Sequence, residues 1–238
     1  MAEIKIQDRS QSGEIILLFE LLKDHPKPLV VDVGANNGVK YSNSFALLQL
    51  GWLGLLVEPN PQNAKKITNL YKDNEKVAIA ECAASNFIGS TKLFSDHLGL
   101  DAESLGSTIS TDENEWSEKV INRDSFIDVK TDTISNLILK TGFGDRDFAL
   151  LSIDTEGHDL EVLEGLGHFR PSIIITERHL WDMRKALKKQ QLLTTYGYVF
   201  GHHIGCNEIY FYVECSHLNK KLEFINSKLP YLSIKKNA

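Results

Sequence analysis

The 238-residue sequence predicts an α/β fold, a mostly parallel sheet with helices on both faces. Three observations predict it. Short apolar runs recur at Leu29–Val33, Leu53–Val57, Val77–Ala83, Phe148–Ile153 and Ser172–Thr176, each the length of a buried strand. Segments with helical apolar spacing fall between them. The stretch from Leu29 to Asn60, LVVDVGANNGVKYSNSFALLQLGWLGLLVEPN, sets two such runs on either side of a glycine-rich turn, Gly34 to Gly38, and a helical segment, Tyr41 to Leu50. The second run ends on Glu58. This is the opening β-α-β unit of a nucleotide-binding sheet, in which glycines allow close passage of backbone and ligand and an acid at the second strand tip accepts two ribose hydroxyls.

The remaining elements follow in order. Residues Ser12 to Leu22 carry Ile15, Ile16, Leu18, Phe19 and Leu22 at helical spacing, and Pro26 and Pro28 end that helix, so residues 1–28 read as an N-terminal helical extension packed on the sheet. Pro59-Asn60-Pro61 punctuates before a helix at Gln62 to Lys72. A short extra strand is expected at Gly89 to Phe94, then a long polar segment over residues 96–125. Phe126 to Thr131 reads as a strand and Thr133 to Lys140 as a helix. A helix at Trp181 to Leu193, strands at Val199–Gly201 and Glu208–Val213, and a closing helix at Ser216–Ser227 complete the chain. No linker or internal repeat divides it, so residues 1–238 are expected to form one domain.

The glycine-rich turn selects among ligands. A dinucleotide site carries G-x-G-x-x-G, but Asn36 stands where its second glycine would be. The turn Asp32-Val33-Gly34-Ala35-Asn36-Asn37-Gly38 resembles the motif of class I S-adenosylmethionine-dependent methyltransferases. A second segment, FALLSIDTEGHDLEVLEGL from Phe148 to Leu166, runs from a strand into Asp154-Thr155-Glu156-Gly157 and then a helix holding Glu161 (or Asp159), Leu163 and Gly165. With VDVGANNG, VEPNP at Val57 to Pro61, and Glu81-Cys82-Ala83-Ala84 before Gly89, the chain resembles the FkbM-type methyltransferase family over about Leu29 to Val213. The resemblance implies a Rossmann-like class I fold, a seven-stranded, mostly parallel sheet with an antiparallel edge strand. It implies S-adenosylmethionine as cofactor, held by Asp32, Gly34, Asn36, Gly38, Glu58, Pro59, Asn60, Cys82, Ala83, Asp154 and Glu156. It also implies O-methylation, with a hydroxyl of a sugar or small metabolite as acceptor, and it makes residues 96–125 a lid or substrate loop, since loops of that length in compact domains are functional or mobile.

Composition narrows the partners. A net charge of -6 argues against general nucleic-acid binding. Lys185, Lys188 and Lys189 form a local basic cluster that fits the solvated face of a helix. The cysteines, Cys82, Cys206 and Cys215, form no C-x-x-C, which suits a reducing compartment and excludes a zinc-finger pattern. The start of the chain has no signal-peptide pattern and no apolar run is long enough to cross a membrane, so a cytoplasmic location is expected. Nothing in the sequence bears on oligomeric state.

Methyl transfer to a hydroxyl requires removal of a proton, so a base or a metal is expected near the end of strand four. Asp154 is the first candidate, with a helix cap as its competing role. Glu177, His179 and His203 follow it at neighbouring strand ends; either histidine suits a base at neutral pH, whereas Asp154 and Glu177 together suit Mg²⁺. His158 is a weaker candidate base. Two other classes share this sheet: a nicotinamide-dependent oxidoreductase, which lacks its glycine fingerprint and a Tyr-x-x-x-Lys pair here, and a non-catalytic cofactor-binding protein.

Overall fold

A computed structural model of the chain describes residues 6–96, 107–109, 121–143, 147–178 and 182–228. The elements run α1 (Glu14–Leu22), β1 (Leu29–Val33), α2 (Phe45–Gln49), β2 (Leu53–Val57), α3 (Pro61–Tyr71), β3 (Val77–Ala80), β4 (Ala83–Ala84), β5 (Gly89–Asp96), β6 (Ile121–Asp132), α4 (Ile134–Thr141), β7 (Leu150–Ile153), α5 (Asp159–Glu164), β8 (Ile173–Glu177), α6 (Met183–Thr195), β9 (Tyr198–Ile204), β10 (Asn207–Tyr212) and α7 (Ser216–Lys228).

Seven strands form the main sheet in the order β3-β2-β1-β7-β8-β10-β9. The first five are parallel, and β10 is antiparallel to both β8 and β9. Every residue of β1 is buried, as a strand covered on both faces requires. Its alternate side chains feed two cores. Val30 joins Leu18, Leu47 and Leu218 from α1, α2 and α7 on one face. Val31 and Val33 join Ile138, Val162 and Leu193 from α4, α5 and α6 on the other. Each such side chain withdrawn from water contributes roughly 1.5–3 kcal/mol, so the sheet faces rather than helix propensity hold these elements.

Local signals set the helix starts. Asn60 accepts a hydrogen bond from Gln62 N–H with Pro61 in the first turn of α3, and Thr133 accepts from Asn136 N–H at α4. Asp182 accepts from Arg184 and Lys185 N–H at α6, starting that helix two residues later than its apolar pattern predicts. Each cap is worth about 1 kcal/mol. Because β1 has β2 on one side and β7 on the other, the sheet reverses direction of winding there. The crevice above the carboxyl ends of β1 and β7 is the natural place for a ligand.

Four expectations need correction. The expected third strand, Val77–Ala83, is split: β3 ends at Ala80, and Ala83–Ala84 pairs instead with β6 in a second, three-stranded sheet, β4-β6-β5. The polar segment over residues 96–125 is not all loop, because β6 begins at Ile121 and pairs with β5 as far as Asp96. Of the rest, only residues 107–109 are described; Thr108 exchanges backbone hydrogen bonds with Phe94 at 2.9 and 3.1 Å. The helix expected from Tyr41 starts only at Phe45, since Ser42 Oγ accepts from Ser44 and Phe45 N–H and holds the preceding turn open. Finally, Lys185 and Lys189, one helical turn apart, face inward and are buried, while Lys188 alone of the three is exposed.

Candidate active site

The glycine-rich turn is fastened to both neighbouring strands. Gly34 and Ala35 N–H donate to Val57 O at 2.9 and 3.2 Å, and Asp154 N–H donates to Val33 O at 2.9 Å. Gly34 has φ +80°, and a Cβ there would lie 1.8 Å from the Asp154 carbonyl oxygen. The glycine is therefore required by the protein's own β7 loop, whatever ligand lies above. Asn36, at φ 50°, donates its N–H to Glu58 Oε2 at 2.8 Å, and Asn60 N–H donates to Glu58 Oε1 at 2.8 Å. Glu58 thus ties the turn to the tip of β2 while keeping a further lone pair on each oxygen. Burial pushes its carboxyl up to about 8 against the pull of those two N–H groups.

A cleft opens above this turn. Val33, Val57, Ala84 and Ile109 give it apolar walls, and its polar groups include Asn36, Glu58, Asn63 and Asp154. Asn63 is 2% exposed, and its Oδ1 finds no hydrogen-bond partner among the described residues. An apolar slot with an acid and an unpaired amide oxygen suits a flat heterocycle joined to a diol. A second cleft lies beside the turn. Asp32, Tyr41, Asn43 and Ser152 line it, and it shares Gly34, Asn36, Asp154 and Glu156 with the first. Asn36, Tyr41 and Glu156 are the non-glycine residues with positive φ among those described, and all three line this cleft. Backbone strain concentrated this way is typical of ligand sites.

Asp154, exposed at the end of β7, lines both clefts, and the buried Asp159 and half-buried Glu177 stand near it. Asp159, fully buried, accepts from Thr155 N–H and Oγ1 through one oxygen and from Thr176 Oγ1 and Glu177 N–H through the other. It thereby locks the loop after β7 to the end of β8. Glu177 is pushed up to about 9, first by burial and then by the negative charges of Asp154 and Asp159, with Lys189 pulling the other way. Lys189 reaches up from α6 to the Glu177 carbonyl and Thr176 Oγ1 and lies 3.4 Å from Glu208.

Residues 32–204 match the model of the methyltransferase FkbM domain. The chain belongs to the FkbM methyltransferase family. Family membership implies use of S-adenosylmethionine, and the two clefts fit that group: Glu58 and Asn63 would hold its nucleoside, with the turn at Gly34 beneath its sulfonium end. Among curated proteins, none matches the sequence. Solved structures similar to this methyltransferase include a Pyrococcus horikoshii protein described as an RNA methyltransferase, with 14% identity, coverage of 84% of this chain and 83% of that one, and a TM-score of 0.45. The ribosomal protein L11 methylase of Lactobacillus delbrueckii subsp. bulgaricus has 12% identity, coverage of 84% and 77%, and a TM-score of 0.41. The precorrin-6y C5,15-methyltransferase of Geobacter metallireducens has 10% identity, coverage of 87% and 90%, and a TM-score of 0.41.

The methyltransferase brings most of the expected cofactor residues together. Gly34, Asn36, Glu58, Pro59, Asn60, Ala83, Asp154 and Glu156 line the first cleft, and Asp32 lines the second. Asp32 accepts from Ser44 Oγ at 2.5 Å, and burial raises its pKa. Two expected residues lie elsewhere. Cys82 packs in the apolar core beside Val57 and Ile134, and burial lifts its thiol to about 11. Gly38 faces Ile67, Leu70 and Tyr71 of α3 with room for a Cβ, so it is its φ of +78° that calls for glycine. Asp154 does not cap the following helix, which begins five residues later at Asp159 with His158 as its N-cap. His158 itself is bound, with Nε2 3.0 Å from Ser85 Oγ. His203 is exposed on β9, in register with Glu208 on β10, which faces Thr176 on β8; two strand spacings, about 10 Å, separate it from the acids. His179 lies outside the described residues. For Mg²⁺ the described residues offer no group of three or more His, Cys, Asp or Glu side chains arranged to hold a metal. Sequence reasoning missed Asn43 and Asn63, placed Asp159 only as an alternative in the helix motif, and put Lys189 on a solvated face, although the i, i+4 spacing of Lys185 and Lys189 signals a shared face.

Proposed function

We propose that the chain transfers a methyl group to a hydroxyl oxygen of a sugar or small metabolite, with Asp154 as the base. S-adenosylmethionine supplies an electrophilic methyl on a sulfonium. The task left to the protein is to aim an oxygen at it and remove that oxygen's proton. The observation that carries this reading is Asp154, set at the end of β7 where both clefts meet. A hydroxyl is a weak acid and must lose its proton as the new C–O bond forms, which is what a positioned carboxylate provides. Burial and the charges of Asp154 and Asp159 raise the Glu177 carboxyl, which lessens the negative charge beside Asp154. The hydroxyl chemistry follows from what the FkbM resemblance implies; Asp154 where the clefts meet is its support in this chain.

The test is S-adenosylhomocysteine release with panels of free sugars, glycosides and small hydroxylated metabolites. With an acceptor in hand, Asp154→Asn keeps shape and removes charge, and turnover is expected to fall by about 10²–10⁴ while S-adenosylhomocysteine affinity stays within about threefold of wild type. Turnover near wild type would leave Asp154 without a part in the chemistry. Activity lost to EDTA and restored by Mg²⁺ would replace the direct base with a metal, and methylation of amines in place of hydroxyls would overturn the acceptor class.

A further inference from the structure

The second cleft contains an amide whose two ends are not equally satisfied. Asn43 is 9% exposed and sits on the inner wall of this cleft. Its Nδ2 is 3.4 Å from Ser152 Oγ, and its Oδ1 is buried with no partner among the described residues. The amide N–H₂ thus faces the Ser152 hydroxyl, and Oδ1 is the end left for a donor from the cleft. A buried acceptor left without a donor costs about 1–3 kcal/mol, and the described residues around it supply none.

The surroundings say which donor fits. Asp32, Asp154 and Glu156 line the same cleft, while its cation, Lys40, sits beside the Tyr41 ring with Nζ 5.5 Å from the centroid. A cleft rich in acceptors and carboxylates favours a cationic donor over a neutral one. The two clefts share Gly34, Asn36, Asp154 and Glu156, so one extended ligand can occupy both, with a nucleoside at the Glu58 end and an ammonium at the Asn43 end. From this juxtaposition we propose that Asn43 is a binding residue whose Oδ1 accepts a hydrogen bond from the α-ammonium of the amino-acid end of S-adenosylmethionine. The assignment rests on the methyltransferase reading of the site and gives a role to a residue none of the motifs selects. The turn at Ser42, which delays α2 until Phe45, is what presents Asn43 to the cleft.

Calorimetry with three ligands tests it. S-adenosylhomocysteine carries both ammonium and carboxylate, its decarboxylated analogue keeps only the amine, and 5′-methylthioadenosine has neither. Asn43→Ala and Asn43→Leu are expected to weaken the first two by roughly 10- to 100-fold, the usual worth of a hydrogen bond to a charged group. Affinity for 5′-methylthioadenosine should stay within about threefold, and its binding also reports that each variant is folded. Equal losses for all three ligands, or none, would overturn the assignment. A loss for S-adenosylhomocysteine but not for its decarboxylated analogue would move Asn43 to the carboxylate and overturn it too. Wild-type protein that binds none of the three would instead overturn the cofactor reading, and this assignment with it.

Discussion

Glu58 holds two structures together at once. Its carboxylate is the anchor of the glycine-rich turn through Asn36 and Asn60 N–H, and it is also the acceptor presented to a ribose diol. Burial raises its pKa to about 8, with the charge of Asp32 adding to the effect. The sign has two consequences. As a group raised in the folded state, Glu58 stabilises the fold fully below its unfolded value and loses that contribution as pH rises through about 8. Ligand hydroxyls, which donate, favour the ionised form, so binding should release a proton below that pH. For 5′-methylthioadenosine, which has no group titrating between about pH 6 and about pH 9, affinity at pH 7 is expected to be about tenfold weaker than at its plateau above pH 9. Calorimetry in buffers of different ionisation enthalpy reads both effects; flat affinity, or proton uptake, would show that Glu58 does not grip the diol as a carboxylate. Gly34 is a different kind of residue. It lies under the site, but its lack of a side chain serves the Asp154 carbonyl, so substitution there is a lesion of the fold before it is one of binding.

The helix α6 shows how an element's position overrides its composition. Lys185, Lys188 and Lys189 look alike in sequence, yet Lys189 is 1% exposed beneath the end of β8 while Lys188 points to water. Its ammonium holds the Glu177 carbonyl and Thr176 Oγ1 and lies 3.4 Å from Glu208, so it braces the strand end that carries Glu177. Removing one partner of a buried charged set leaves the others uncompensated. Lys189→Ala is therefore expected to cost about 3–5 kcal/mol in urea unfolding, and Lys188→Ala no more than about 0.5 kcal/mol. Similar small changes for both would place Lys189 in solvent. Asp159 does for the β7 loop what Lys189 does for β8, and through Thr155, Thr176 and Glu177 N–H the two make one rigid floor under the acids.

At the scale of the whole molecule, the second sheet brings chain from between β3 and β7 over the first cleft. Ser107, Thr108 and Ile109 line that cleft, with Thr108 Oγ1 3.4 Å from the Thr155 carbonyl. We propose that residues 96–125, the expected lid segment, most of which lies outside the described residues, cover the site. Hydrogen exchange in peptides covering them should slow on adding S-adenosylhomocysteine and an acceptor, whereas identical exchange in every state would make the segment a passive insertion. The order of sheet, helices and glycine-rich turn was legible because each rests on local chemistry. Val30 to Val33 is apolar enough to be buried on both faces, Pro61 and Asn60 start a helix, and Gly34 and Glu58 carry the spacing of a β-α-β unit. For the same reason the sequence by itself determined the family and named most of the residues that turn out to line the first cleft. Tertiary structure decided what depends on neighbours distant in the chain. It put Ala83–Ala84 into a second sheet, because their partner strand begins some 40 residues later at β6. It turned Lys189 inward and His203 outward, because burial is set by what packs opposite a residue rather than by its type. It left the Asn43 oxygen without a donor among the described residues, because the fold turns the amide N–H₂ toward Ser152, 109 residues away in the chain.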